Sequence, residues 1–96
     1  MSIRLIITIH AAAGRGEELG AALKGRCDEV VGEPGCEQFE VFQSLVNPEK
    51  LVLLEQWKDQ EALDVHAKVN ETRARFSSDL VAGASQREDY VYNRTR

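Results

Sequence analysis

The chain has 96 residues, 16 acidic against 12 basic side chains, a formal net charge of −4 and 43% hydrophobic content. That length suits one domain, residues 1–96, rather than two. Its scattered basic residues give nucleic-acid binding little electrostatic support, and no apolar run approaches the roughly 18 residues a membrane helix needs.

The first apolar run, Ile3 to Ile9, is short, interrupted by Arg4 and without the basic lead and cleavage site of a signal peptide, which predicts a cytoplasmic protein. Within it Ile3, Leu5, Ile7 and Ile9 alternate with Arg4, Ile6, Thr8 and His10, the pattern of a strand. After the small-residue turn 11–16, Leu19, Ala22, Leu23, Arg26, Cys27, Val30 and Val31 recur at helical spacing, predicting a helix from about Arg15 to Val31 that Gly32 stops. Gly20 and Gly25 each cost about 1 kcal/mol in a helix interior, so this helix depends on packing more than on propensity.

Pro34-Gly35 turns the chain into a second strand, Cys36 to Leu45, and Asn47-Pro48-Glu49-Lys50 turns it again into a third, Leu51 to Trp57. Asp59 is a suitable N-cap for a second helix with Ala62, Leu63, His66 and Ala67 on one stripe, which Val69, Arg73 and Phe76 extend toward Leu80. Gly83-Ala84 breaks it, and Gln86 to Asn93, carrying Tyr90, Val91 and Tyr92, is a fourth strand. The order β-α-β-β-α-β predicts an α+β, ferredoxin-like fold with a four-stranded antiparallel sheet. Cys27 and Cys36 lack metal-ligand spacing and nearby partners, so they read as reduced, mostly buried thiols and no metal site is expected.

Two helices cover one face of such a sheet. Ile6, the pair Phe39 and Phe42, and the pair Leu53 and Leu54 place apolar groups on both faces, so the second face needs a cover. The simplest cover is the same face of another copy, an isologous homodimer through the open sheet face with a cavity between the sheets. Ile6, Leu53 and Trp57 are the residues whose exposure it would relieve.

On the third strand, alternation puts Leu53, Glu55 and Trp57 on one side, and an indole beside a carboxylate suits a flat hydroxylated ligand. Alternation leaves Trp57 open as core or pocket wall, and Glu55 open as a ligand contact or an arginine's partner. The imidazole of His66 is a candidate proton acceptor, or is a satisfied core residue. His10 reads as an exposed strand end.

Glu33-Pro34-Gly35-Cys36, the hairpin, Leu53-Leu54-Glu55-Gln56-Trp57-Lys58-Asp59 and Ala62-Leu63-Asp64-Val65-His66 together resemble the antibiotic biosynthesis monooxygenase domain over nearly the whole chain. The resemblance implies a dimeric α+β barrel and, as in the family's characterised enzymes, oxidation of polyphenols, anthrones or quinols by O2 without a cofactor. By the same resemblance Trp57 lines the pocket, His66 faces it as the catalytic residue, and Phe39 forms an apolar wall without a hydroxyl. Tyr90 and Arg87 on the last strand would reach a ligand's oxygens, although Arg87 also suits a solvated edge.

Relatives of other function isomerise a phosphorylated signalling sugar or handle haem. The second histidine that many members carry after a Thr-Pro is replaced here by Ala67-Lys68-Val69-Asn70-Glu71-Thr72, which counts against the isomerase. The haem reading needs an Asn on the first strand and a Trp followed by His on the second helix, and none is in place. No dinucleotide fingerprint, P-loop or nucleophile elbow is present, so the expected cofactor is none and the electrons would come from a small aromatic substrate. The opposing expectation is a non-catalytic, ligand-binding or stress-related dimer on the same barrel.

Overall fold

A computed structural model describes residues 1–92, with the side chain of Tyr92 left aside; the predicted end of the last strand at Asn93 lies outside the described residues. The elements are β1 (Ser2–His10), α1 (Gly16–Val30), β2 (Cys36–Gln43), β3 (Lys50–Trp57), α2 (Gln60–Asn70), a short 3₁₀ helix (Ser78–Leu80) and β4 (Gln86–Tyr92). All strand pairs are antiparallel in the order β2-β3-β1-β4, the ferredoxin-like arrangement.

Register decides which side chains share a face. Leu5 pairs with Glu55, Ile7 with Leu53 and Ile3 with Trp57, while Phe39 pairs with Glu55 and Val41 with Leu53. These residues point at the helix layer, where Ile3, Leu5, Phe39, Leu53 and Trp57 form one cluster with Cys27 and Val30 of α1 and Leu63 of α2. A second cluster at the other end joins Leu51 to Leu19 and Leu23 of α1, Ala11 and Leu80.

Among the described residues no helix lies on the opposite face. Ile6, Val52 and Leu54 remain half-buried there, beside Phe42 at 48% exposure and Tyr90 at 52%. Toward one end of it the Arg4 guanidinium donates to the side chains of Gln38 and Gln56. The expectation that Leu53 and Trp57 share this open face with Ile6 is therefore corrected. Period-two alternation groups residues correctly but does not say which group the helices cover.

The predicted extension of α2 toward Leu80 is also corrected. The helix stops at Asn70, where the Thr72 hydroxyl donates to the Val69 carbonyl at 2.6 Å and Thr72 N and Arg73 N make i→i−3 bonds to Val69 and Asn70. That tightening ends α-helical bonding. Arg73 and Phe76, which extend the apolar stripe in sequence, lie beyond it: Arg73 turns to Glu29 and Glu33, and the Phe76 ring lies 4.7 Å under the Arg26 guanidinium.

Candidate active site

Three local features bring the site residues together. Asp59, two residues after β3 ends, caps α2 by accepting from Ala62 N at 2.9 Å and so fixes the helix start at Gln60. Leu63 and His66, three residues apart, then lie on one helix face and point at the sheet. The turn before β2 is held against the start of α2: Lys58 N donates to Gly35 O at 2.8 Å, and a Cβ on Gly35 would sit 2.5 Å from the Ala62 Cβ. Gly35 also has φ +81°, so two independent constraints select glycine.

The result is a closed aromatic box. The His66 ring stacks on Trp57 with centroids 4.5 Å apart and planes at 29°, and the Phe39 ring meets both edge-on, at 5.7 Å from His66 and 6.4 Å from Trp57. Trp57 Nε1 donates to Glu55 Oε1 at 2.8 Å. Trp57 is fully buried, and among the described residues Glu55 and His66 are the two buried polar ones, at 3% and 8% exposure. The structure thus brings His66, Trp57, Phe39 and Glu55 together.

Tyr90 is not among them. It pairs with Arg4 and lies on the open face, so the sheet separates it from the imidazole; a one-residue step along a strand reverses the side. Arg87, Asp89 and the exposed Val91, paired with Ile7, Leu5 and Ile3, are β4 residues on the helix side, and Arg87 and Asp89 are the charged ones. They form their own ion pair at 2.6 Å. Because β4 is exposed and Ile7 and Ile9 are only half-buried, the helix layer leaves a strip over β1 and β4 uncovered, beside Glu55 and His66. His10 ends β1, half-buried.

Sequence reasoning passed over Glu33. Its carboxylate takes His66 Nδ1 on one oxygen at 3.0 Å and Arg73 on the other at 2.6 Å. Arg73 Nε lies 3.3 Å from Glu29, which also pairs with Arg26. A chain of alternating charge thus runs from α1 to the imidazole. The signal was present in the acidic residue opening the Pro-Gly turn, but its partners lie 33 and 40 residues away.

Burial pushes the Glu55 carboxyl above its usual value, against the indole hydrogen bond and the nearby His66 and Arg87, which favour the charged form. Cys36 is pushed up to about 11 by burial and then by Glu55 and Glu33, so it stays a thiol and is no nucleophile. Among the described residues no three His, Cys, Asp or Glu side chains gather as a metal site requires. A groove of about 650 Å³ between α1 and β2 touches Phe39, and a cleft of about 690 Å³ lies past the end of α2, lined by Ala67, Arg73 and Phe76. Neither is lined by Trp57, His66 or Glu55.

The fold recurs in solved structures. A Pseudomonas aeruginosa protein superposes with a TM-score of 0.81 at 25% identity over 97% of this chain and 95% of its own. Structures described as candidate antibiotic biosynthesis monooxygenases from Nitrosomonas europaea and Deinococcus radiodurans give TM-scores of 0.77 and 0.76 at 20% and 17% identity. They cover 93% and 100% of this chain and 88% and 96% of theirs. No curated protein matches the chain. The family profile described as antibiotic biosynthesis monooxygenase matches residues 2–75, a span that contains the aromatic box and its Glu33 support, and the chain belongs to that family.

Proposed function

We propose that the protein is a cofactor-free monooxygenase that oxidises a small hydroxylated aromatic with O2, using His66 as the base. The observation that carries this is the buried imidazole, stacked on Trp57 and set beside Glu55 in a chain of this family. An anthrone illustrates the balance. His66 takes a proton from the CH2 carbon, the resulting anion passes an electron to O2, and the radicals combine as a hydroperoxide. Loss of water leaves a carbonyl, so one oxygen atom enters the product and the other departs with the two hydrogens. The protein supplies a base, orientation and a water-poor wall. The ligand would lie on the uncovered strip of β1 and β4, against Ile7 and between the Arg87–Asp89 pair and the His66–Glu55 side.

One observation favours a second reading, a barrel that binds aromatics without reacting. The indole and imidazole are in contact with each other, and the two cavities lie elsewhere. Turnover separates the two. Metal-stripped protein should oxidise 1,8-dihydroxyanthrone in air and not under argon, and His66→Ala should slow it on the order of 10²–10⁴-fold. Full activity in His66→Ala removes the base assignment, and saturable binding with no oxygen uptake selects the binding protein.

The proposal includes an isologous homodimer through the open sheet face. Its support is the patch of Ile6, Val52, Leu54, Phe42 and Tyr90, which this chain alone leaves partly exposed.

A further inference from the structure

We infer that Glu33 is a positioning residue for His66: it holds the proton on Nδ1 and so leaves the lone pair on Nε2, while Arg73 fixes the carboxylate that does this. The inference rests on the reading of His66 as a base and adds which of its atoms acts.

The geometry gives the imidazole little choice. An ionised carboxylate only accepts hydrogen bonds. Glu33 Oε2 is engaged by Arg73 at 2.6 Å, so Oε1, at 3.0 Å from His66 Nδ1, faces a ring nitrogen that must be the donor. A neutral imidazole protonated on Nδ1 has its acceptor at Nε2. Packing restricts ring rotation as well, because Trp57 stacks on one face with planes at 29° and Phe39 meets the ring edge-on. The side chains of His66, Glu33 and Arg73 are 9%, 13% and 15% exposed, so water competes weakly for these bonds.

Arg73 serves the carboxylate at a cost to itself. Its Nη1 is buried without a hydrogen-bond partner among the described residues while its other nitrogens reach Glu33 and Glu29. Unpaired buried donors are expensive, so the guanidinium is committed to the two carboxylates rather than to its own full satisfaction. The charged groups around the imidazole come from every side: Glu33 from the turn before β2, Arg73 behind it from the segment after α2, and Glu55 from β3. Arg87 and Asp89 stand behind Glu55 on β4. Glu55 accepts the Trp57 indole on Oε1, and the carboxylate oxygen within hydrogen-bond distance of His66 Nδ1 is Glu33 Oε1.

A purely structural staple would be indifferent to the tautomer, so the tautomer is the test. Long-range ¹H–¹⁵N spectra of the neutral ring, assigned by loss of the signal in His66→Gln, should show Nδ1 protonated and Nε2 bare. In Glu33→Ala the ring should shift to the Nε2–H form that an unrestrained histidine prefers. An Nε2–H tautomer in the wild type, or Nδ1–H retained in Glu33→Ala, overturns the inference. If Glu33→Ala does not fold by circular dichroism, Glu33→Gln takes its place, where a mixed or reversed tautomer supports the inference and an unchanged one overturns it.

The kinetic arm uses 1,8-dihydroxyanthrone in air. Loss of Glu33 should lower kcat by about 10²-fold, within the contribution of a positioned base, leave KM unchanged, and be partly rescued in Glu33→Asp. An altered tautomer with unaltered kcat also overturns it. If the wild type shows no turnover, the base reading fails, and the spectra alone then decide whether Glu33 sets the tautomer.

Discussion

The two faces of the sheet are made by the same strands yet finished differently. On the helix side Trp57, Leu5, Leu51 and Phe39 are buried, and the polar groups admitted there are tied to one another: the indole to Glu55, the imidazole to Glu33, Glu33 to Arg73. On the other side Ile6, Val52 and Leu54 are half-covered and Phe42 is half-exposed, with an Arg4–Gln38–Gln56 network toward one end. One face has buried polar groups with partners, and the other has apolar groups without a cover. Burying a polar group is costly unless it is hydrogen-bonded, and apart from Arg73 Nη1 the groups named here have partners, so the first face is where chemistry can be built, and the second is where another surface is wanted.

The sharpest way to break this contrast is Trp57→Ala. Truncating a buried tryptophan costs about 3–5 kcal/mol, a large share of the about 5–15 kcal/mol that holds a domain together, and it removes the indole donor that satisfies Glu55. Urea unfolding should show a midpoint far below wild type, or no folded protein. A variant as stable as wild type would make Trp57 a replaceable pocket wall rather than the centre of the core. Because the indole is wholly buried, loss of ligand binding in this variant says little about the site, and His66→Ala is the better probe.

The open face answers to a smaller change. Leu54→Lys puts a charge at its centre, opposite Ile6 and Glu40 in the register, on a surface where substitutions seldom move stability by more than about 0.5 kcal/mol. Light scattering should give the wild type at twice the 10.7 kDa chain mass and Leu54→Lys as folded monomer. Equal masses for the two would mean that this patch is not the dimer interface.

The same contrast shows what could be read from the residues alone. Element order was legible because alternation, helical spacing, Asp59 and the Pro-Gly turns are local signals; family motifs singled out Trp57, His66 and Phe39, alternation set Glu55 beside Trp57, and the contact of the three rings was not read from either. The side of the sheet was not legible, since Leu53 and Leu54 are equally apolar and only packing against Cys27, Val30 and Leu63 separates them. Tyr90 fell on the wrong side for that reason. The end of α2 was missed because Val69, Arg73 and Phe76 keep the helical period while Thr72 and two distant glutamates pull the backbone away from it. Glu33 had no visible role because its partners are set by tertiary contact.

Glu55→Gln should have the smallest effect, and its sign carries the information. Burial raises the Glu55 carboxyl in the folded chain, while the indole bond and the neighbouring His66 and Arg87 partly offset this. A carboxyl raised above its unfolded value of about 4.3 adds stability that is fully present below that value and is lost as pH rises through the folded value. At pH 7, where the unfolded carboxyl is ionised, burying Glu55 therefore costs the wild type stability, and glutamine, which keeps an oxygen for Trp57 Nε1, avoids that cost. Melting curves should place Glu55→Gln slightly above wild type at pH 7, with the gap closing as pH falls below the ordinary carboxylate range. A variant that melts lower at pH 7, by an amount that does not change with pH, would show that Glu55 contributes through its hydrogen-bond geometry and that its charge is already compensated by His66 and Arg87.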